Sequence, residues 1–188
     1  MPGRLIVVEG LDGTGKSTFS RELARRLGAW WTTTPGPLLR ESRVAVESGL
    51  GPDPLARQLF YAATVAAESA RVAPRLRAGE TVVMDRYWAT TVAYARLHPA
   101  YMELPDIERR LVPAHTTWFL SLDERERRRR LEARGTSAGD RDTFDVSVRA
   151  ALNDSYREAL TRPVCGRVHH VDVSRLGQGQ LWDGWADA

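Results

Sequence analysis

The chain has 188 residues, 43% hydrophobic and 27% charged, which suits one soluble α/β domain able to bury its own core. Its formal charge is only +3, and the arginine excess is spread along the chain, so a nucleic-acid-binding patch is not expected. With a single cysteine, Cys165, no intramolecular disulfide is possible. The residues from Met1 run straight into an apolar strand rather than a signal peptide, and no apolar run approaches the roughly 20 residues of a bilayer span. A soluble, cytoplasmic protein with no membrane partner is expected. Lys16 is the only lysine, the other 26 basic residues being arginine. Arginine is a broad planar fork and lysine a compact point charge on a slim stem, so the one retained lysine marks a position that needs compactness.

In chain order, Leu5-Ile6-Val7-Val8 is a short apolar run bounded by turn residues, as expected of a buried parallel strand. From Lys16 the apolar positions Phe19, Leu23 and Leu27 recur every four residues and predict an amphipathic helix. Residues 30–33 read as a second strand, followed by a turn at Pro35-Gly36-Pro37. Residues 54–77 predict a long helix interrupted or kinked at Pro74. Residues 81–84 are a third strand that ends on Asp85-Arg86-Tyr87, and a helix follows over about 88–97. A fourth strand spans 116–122, the arginine-dense 123–134 predicts a helix, 144–161 another, and 168–173 a last strand. The tail from Gly177, with Trp182 and Trp185, carries no functional signal. Strands alternating with helices predict one domain over 1–188, built as a three-layer α/β fold with a central parallel sheet flanked by helices. Ligands in such sheets bind at the carboxyl ends of strands, where Gly10 and Asp85 both fall.

Between the first strand and the first helix stands Gly10-x4-Gly15-Lys16-Ser17, the P-loop spacing in its required context. Gly10, Asp12, Gly13, Thr14, Gly15, Lys16, Ser17 and Thr18 are thus the candidate nucleotide-binding residues. Backbone N–H groups would cradle phosphate oxygens, aided by the helix N-terminus. Lys16 would reach the β- and γ-phosphates of ATP, and the Ser17 hydroxyl would hold Mg²⁺. Asp85 and Arg86 place a carboxylate and a guanidinium at a neighbouring strand end, where Asp85 could face the metal or the acceptor. A chance glycine turn and a surface salt bridge are the plainer explanations of the two motifs, and their joint occurrence disfavours both.

These residues resemble the thymidylate kinase family. Val8-Glu9-Gly10-Leu11-Asp12-Gly13-Thr14-Gly15-Lys16-Ser17-Thr18 is similar to the family's E-G-x-D-G-x-G-K-[ST]-T. Asp85-Arg86-Tyr87 with Thr90, Ala93 and Tyr94 is similar to D-R-[YH]-x-x-S-x-x-A-[YF]. Leu122-Asp123, the arginine-rich helix, Arg134-Gly135 to Asp140-Arg141 and Phe144 look like its strand end and lid, here about 134–144, and Asp172 after the last strand also fits. The resemblance implies a P-loop NTPase fold, a homodimer, and Asp12, Phe60, Arg86 and Tyr94 at the acceptor. It also implies a catalytic arginine in the P-loop or in the lid. Gly13 stands where the first type carries arginine, so Arg134 or Arg141 is expected to close over the phosphates. Most arginines between 125 and 130 are expected to form a solvated helix face.

Two positions depart from the family. Thr33 replaces the arginine of T-R-E-P-G that binds the acceptor phosphate, and Thr64 replaces the arginine of L-F-x-A-[DN]-R that contacts the base, while Phe60 keeps the stacking ring. Each charge-assisted hydrogen bond contributes about 1.5–3 kcal/mol, so losing both shifts acceptor affinity substantially. Arg40 or Arg57 could compensate. The leading expectation is ATP-dependent phosphorylation of a nucleoside monophosphate, dTMP or a related pyrimidine nucleotide. The alternatives are a kinase of a nucleoside or other small molecule, or a slowly hydrolysing nucleotide-binding module. The last lacks support, since the N-K-x-D guanine signature would need a second lysine.

Overall fold

The structure, a computed structural model, describes residues 3–175; the tail with Trp182 and Trp185 lies outside them. In chain order the elements are β1 (Leu5–Gly10), α1 (Lys16–Leu27), β2 (Trp30–Thr33), α2 (Pro37–Leu50), α3 (Pro54–Arg77), β3 (Val82–Asp85) and α4 (Trp88–Ala95). They continue with α5 (Pro105–Glu108), β4 (Thr116–Ser121), α6 (Glu124–Arg134), α7 (Ala138–Asp142), α8 (Val146–Ala159) and β5 (Arg167–Asp172). All pairings in the sheet are parallel, in the order β2-β3-β1-β4-β5.

Helices cover both faces because β1 is apolar on both. Leu5 and Val7 pack with Val82 and Met84 of β3 and with side chains of α3, α4 and α8. Ile6 and Val8 pack with Val83, Trp118 and the Phe19–Leu23 face of α1 on the other side. This alternation follows from the period of two along a strand. It also explains why the strands read as continuous apolar runs rather than alternating ones. Parallel register then sets the functional end of the sheet: Val8 pairs with Asp85, Thr33 pairs with Asp85 from the other side, and Gly10 pairs with Leu120.

The structure differs from the sequence expectations at particular points. A turn was expected at Pro35-Gly36-Pro37 and no element directly after it, where α2 stands. Pro37 starts it at a position where proline is favourable. None of its residues is fully buried; Val46 and Leu50 are only partly covered. Short helices α5 and α7 were likewise not expected. Leu27 was expected on the buried face of α1 but is 40% exposed, because the helix stops there at left-handed Gly28. Pro74 does not interrupt α3, which runs unbroken from Pro54 to Arg77. Pro74 lacks the N–H that would bond the Ala70 carbonyl and sets its ring against it, and α3 carries that cost in its last turn. The third strand is Val82–Asp85, so Asp85 belongs to the strand end itself and inherits its rigidity.

Candidate active site

The glycine-rich segment joins β1 to α1 at the carboxyl edge of the sheet. At that edge the connections leaving the neighbouring strands β1 and β3 run to opposite sides, toward β2 and toward β4, the place where open α/β sheets bind ligands. Helix α1 begins at Lys16 with no side-chain cap and no acidic residue in its first turn. Its N-terminal N–H groups and dipole are thus left for an anion from outside the chain. Lys16 is 5% exposed, and its Nζ donates to the Leu11 carbonyl oxygen at 2.6 Å and lies 3.8 Å from Asp12 Oδ1. Burial, and next the nearby Arg86 charge, press its pKa down to about 8. A cation held this way, over a loop of backbone donors, is poised to gain from an incoming phosphate.

Asp85, at the tip of β3, accepts from the Ser17 hydroxyl on Oδ2 at 2.5 Å. Its other oxygen, Oδ1, is buried without a hydrogen-bond partner. A buried carboxylate oxygen left unpaired beside a hydroxyl is a costly arrangement unless something else satisfies it. A hard divalent cation such as Mg²⁺, which takes a few protein oxygens and completes its shell with water and phosphate, fits this donor set.

Arg86 follows in the left-handed conformation, φ 68°, the one described non-glycine residue with positive φ. Such backbone strain persists only where the surroundings over-determine it. Here the Arg86 N–H donates to the Val8 carbonyl at 2.9 Å, and its guanidinium pairs with Asp12 and donates to Thr90 Oγ1 at 3.3 Å. Tyr94 also donates its hydroxyl to Asp12 Oδ2, at 3.3 Å. Burial works to raise the Asp12 pKa, but Arg86, Lys16 and Arg134 outweigh it and hold the carboxyl well below the usual range. Burial pulls the other way on Arg86, yet Asp12 and its neighbours keep that guanidinium firmly charged.

Glu9 was part of the recognised motif, but sequence reasoning gave it no role. It is fully buried and accepts from Tyr87 N at 2.9 Å, Thr90 N at 3.2 Å and the Thr90 hydroxyl. Helix α4 has no side-chain cap of its own. Glu9 supplies that cap from a different strand, and so fixes the turn that carries Arg86. Burial raises its pKa, against the hydrogen bonds that oppose the rise. Tyr156 of α8 completes the cluster, 2.9 Å from Thr90 Oγ1 and 3.3 Å from the Gly10 carbonyl oxygen. A charged residue within the apolar run LIVVEG was a signal for Glu9; nothing in the sequence pointed to Tyr156.

The acceptor side is less charged. Thr33 is buried beside Asp85 in the β2–β3 register, and Thr64 is 1% exposed with its hydroxyl spent on the Tyr61 carbonyl, at 2.8 Å. Thr64 therefore does not join the cluster around Arg86. Phe60 is half-buried and packs edge-on to Tyr61, whose hydroxyl donates to Glu47 of α2. Arg57 donates to the Gly51 carbonyl at 3.3 Å and Arg40 is exposed on α2. Glu68 was missed from sequence: it is 5% exposed, accepts from Thr32 Oγ1 at 2.9 Å, and its carboxylate fills the space where a Cβ on Gly36 would stand.

In the expected lid, Arg134 is 53% exposed and pairs with Asp140 at 2.9 Å, which also closes a capping box with Ser137 on α7. Arg141 is exposed and donates to the Thr136 carbonyl at 3.2 Å. Neither touches the P-loop, though the Arg134 charge reaches Asp12. Two arginines of α6 come closer. A methyl group placed on Gly15 would lie 3.5 Å from Arg130 Nη1, so this guanidinium overhangs the loop. Arg127 is 2% exposed and donates to the Asp12 carbonyl oxygen at 2.9 Å, a correction to the solvated face expected of this helix. In a run of arginines, sequence alone offered no means of singling these two out.

Comparison with known proteins agrees with this geometry: the family profile described as Thymidylate kinase matches residues 8–175. The chain belongs to the thymidylate kinase family. Membership makes it a phosphotransferase with the P-loop NTPase fold. It is 37% identical over 166 residues to a thymidylate kinase of Synechococcus sp. strain WH7803, covering 72% of this chain and 77% of that one. With the thymidylate kinase of Synechococcus sp. strain CC9311 it shares 28% identity over 96% of its length and 99% of the relative's. The solved thymidylate kinase of Candida albicans superposes with a TM-score of 0.69 at 21% identity, over 96% of this chain and 88% of that one.

Glu9→Ala is expected to leave the N–H groups of Tyr87 and Thr90, at the start of α4, unpaired and to cost about 1–3 kcal/mol of stability, read by urea titration. Glu9→Gln, which keeps one acceptor oxygen, is expected to lose less. Equal losses for the two would show that the carboxylate does not cap α4.

Proposed function

We propose that this protein transfers the γ-phosphoryl group of Mg-ATP to dTMP or a closely related pyrimidine nucleoside monophosphate. The observation that carries the reading is the juxtaposition of Lys16, Ser17–Asp85 and Asp12–Arg86 at one edge of the sheet, in a chain of the thymidylate kinase family. The P-loop N–H groups and Lys16 would hold the donor β- and γ-phosphates. Ser17 and Asp85 would hold Mg²⁺, which when bound neutralises charge on phosphate oxygens. Arg86, fixed by Asp12 and Thr90, would orient the acceptor phosphate, and Phe60 would stack on its base, with Tyr94 and Thr33 in the same pocket. An oxygen of the acceptor phosphate attacks the γ-phosphorus in line. The bond from γ-phosphorus to the β–γ bridging oxygen breaks, and ADP leaves with that oxygen's electrons. An acceptor phosphate is already ionised at neutral pH, so no general base is required. Arg130 of α6, with Arg134 and Arg141 of the lid, would balance charge on the transferring group once the lid closes.

A related pyrimidine as the true acceptor is favoured by one specific observation: Thr33 and Thr64 are buried where the family carries cations, and neither Arg40 nor Arg57 fills their place. The homodimer implied by the resemblance is supported by Leu38, Val44 and Leu59, apolar side chains left exposed on α2 and α3. A cytoplasmic setting suits the lone buried Cys165, and no described helix is long and apolar enough to cross a membrane.

Coupled ADP release from Mg-ATP, measured with each nucleoside monophosphate against a no-acceptor blank, tests the reading directly. Strong stimulation by dTMP or another pyrimidine monophosphate is expected; silence from all of them in protein that binds ATP would overturn it. The low pKa of Lys16 adds a second expectation. Free protein loses the Lys16 proton above about pH 8, whereas the phosphate complex needs it bound. ATP affinity should therefore fall as pH rises through 8, approaching about tenfold per unit. A flat profile to pH 9.5 by calorimetry would contradict this placement of Lys16.

A further inference from the structure

Arg127 stands apart from its neighbours on α6. Arg128, Arg129 and Arg130 are 54%, 71% and 43% exposed and pair with glutamates of their own helix. Arg127 is 2% exposed, and its guanidinium lies between the P-loop and the far end of the lid. Nε and Nη2 donate to the two oxygens of Glu124, at 2.7 and 3.0 Å. Nη1 donates to the Asp12 carbonyl oxygen at 2.9 Å and to Thr143 Oγ1 at 3.2 Å, and Nη2 donates to the Thr143 carbonyl oxygen at 3.1 Å. Those five bonds match the five N–H donors of the group. Arg149 of α8 braces the same Glu124, at 3.2 Å.

A second observation places α6 directly against the loop. A Cβ on Gly13 would come within 2.9 Å of Leu131 Cγ and 3.0 Å of Arg127 Cγ, and the φ of +87° at Gly13 already requires glycine. The Asp12–Gly13 peptide is thus clamped on its carbonyl side. In a planar trans peptide the carbonyl and the next N–H point in opposite directions. Holding the Asp12 carbonyl toward Arg127 therefore turns the Gly13 N–H away from α6, to the side where a phosphate would be cradled.

We propose that Arg127 is a positioning residue for the nucleotide. Its buried guanidinium sets the orientation of the Asp12–Gly13 peptide and ties it, through Thr143, to the end of the lid, so that loop and lid are held in one register. The inference rests on the reading of the P-loop as the donor site. A helix-to-lid staple alone would need only Glu124 and Thr143; the bond to Asp12 is what makes the residue act on nucleotide binding.

The test is titration of a ribose-labelled fluorescent ATP with Mg²⁺, without acceptor, into wild type, Arg127→Met, Arg127→Lys and the exposed control Arg128→Met. Loss of one charge-assisted hydrogen bond predicts a dissociation constant about tenfold higher for Arg127→Met. Arg127→Lys, which keeps the charge but not the fork, should fall between it and wild type, and Arg128→Met should match wild type. Wild-type affinity in Arg127→Met, or an equal loss in Arg128→Met, would overturn the proposal. Should Arg127→Met fail to fold, Arg127→Lys decides: weakened binding supports the role, and wild-type affinity overturns it. Wild-type protein that binds no ATP would instead overturn the donor-site reading itself.

Discussion

The ion pair between Asp12 and Arg86 joins two strand ends that would otherwise be independent loops. Asp12 belongs to the segment after β1 and Arg86 to the segment after β3, and their charges meet where the two strands run side by side in register. Lys16 and Tyr94 share the same carboxylate. Because Arg86 sits in a strained left-handed conformation, the pair does more than balance charge. It keeps a guanidinium aimed at the cleft while its backbone is committed elsewhere. Glu9 does the complementary work from below, capping α4 and fixing the turn on which Arg86 stands. Glu9 and Asp12 thereby fix the relation between the glycine-rich loop and Arg86.

The same economy appears around the loop. Its carbonyl groups are engaged by Lys16 at Leu11, Arg127 at Asp12 and Tyr156 at Gly10. Of the loop N–H groups, that of Thr14 donates back to the Leu11 carbonyl at 3.4 Å, and those of Gly13, Gly15 and Lys16 are left for a ligand. The acceptor side has been treated differently. Thr33 and Thr64 are closed into the packing, and Glu68 brings a carboxylate to Gly36. On the proposed reading, the residues resembling the family's motif form the donor half, and Thr33 and Thr64 are the departures on the acceptor half.

Much of this was legible in the sequence, for identifiable reasons. Strands β1 and β3 read clearly because burial on both faces leaves unbroken apolar runs, and the loop read clearly because its chemistry dictates glycine and lysine at fixed spacing. Helix α2 was passed over because the Pro35-Gly36-Pro37 turn signal came first and only Val46 and Leu50 of its apolar residues are even partly covered, and Leu27 misled because α1 ends under it. The ring of contacts around Asp12 was only half legible. Arg86 and Tyr94 stood in a motif, whereas Arg127 was hidden among four neighbouring arginines and Tyr156 lay 146 residues from the carbonyl it touches. Long-range hydrogen bonds leave no local pattern, so only the fold reveals them.

The central claim is that Asp12 and Arg86 act as a unit in binding the acceptor. A double-mutant cycle on kcat/KM for the stimulating monophosphate, using Asp12→Asn, Arg86→Met and the pair, measures that coupling. If the two residues are one device, the double variant should lose little more than the worse single variant. Fully additive losses would show that they act independently and would contradict the account.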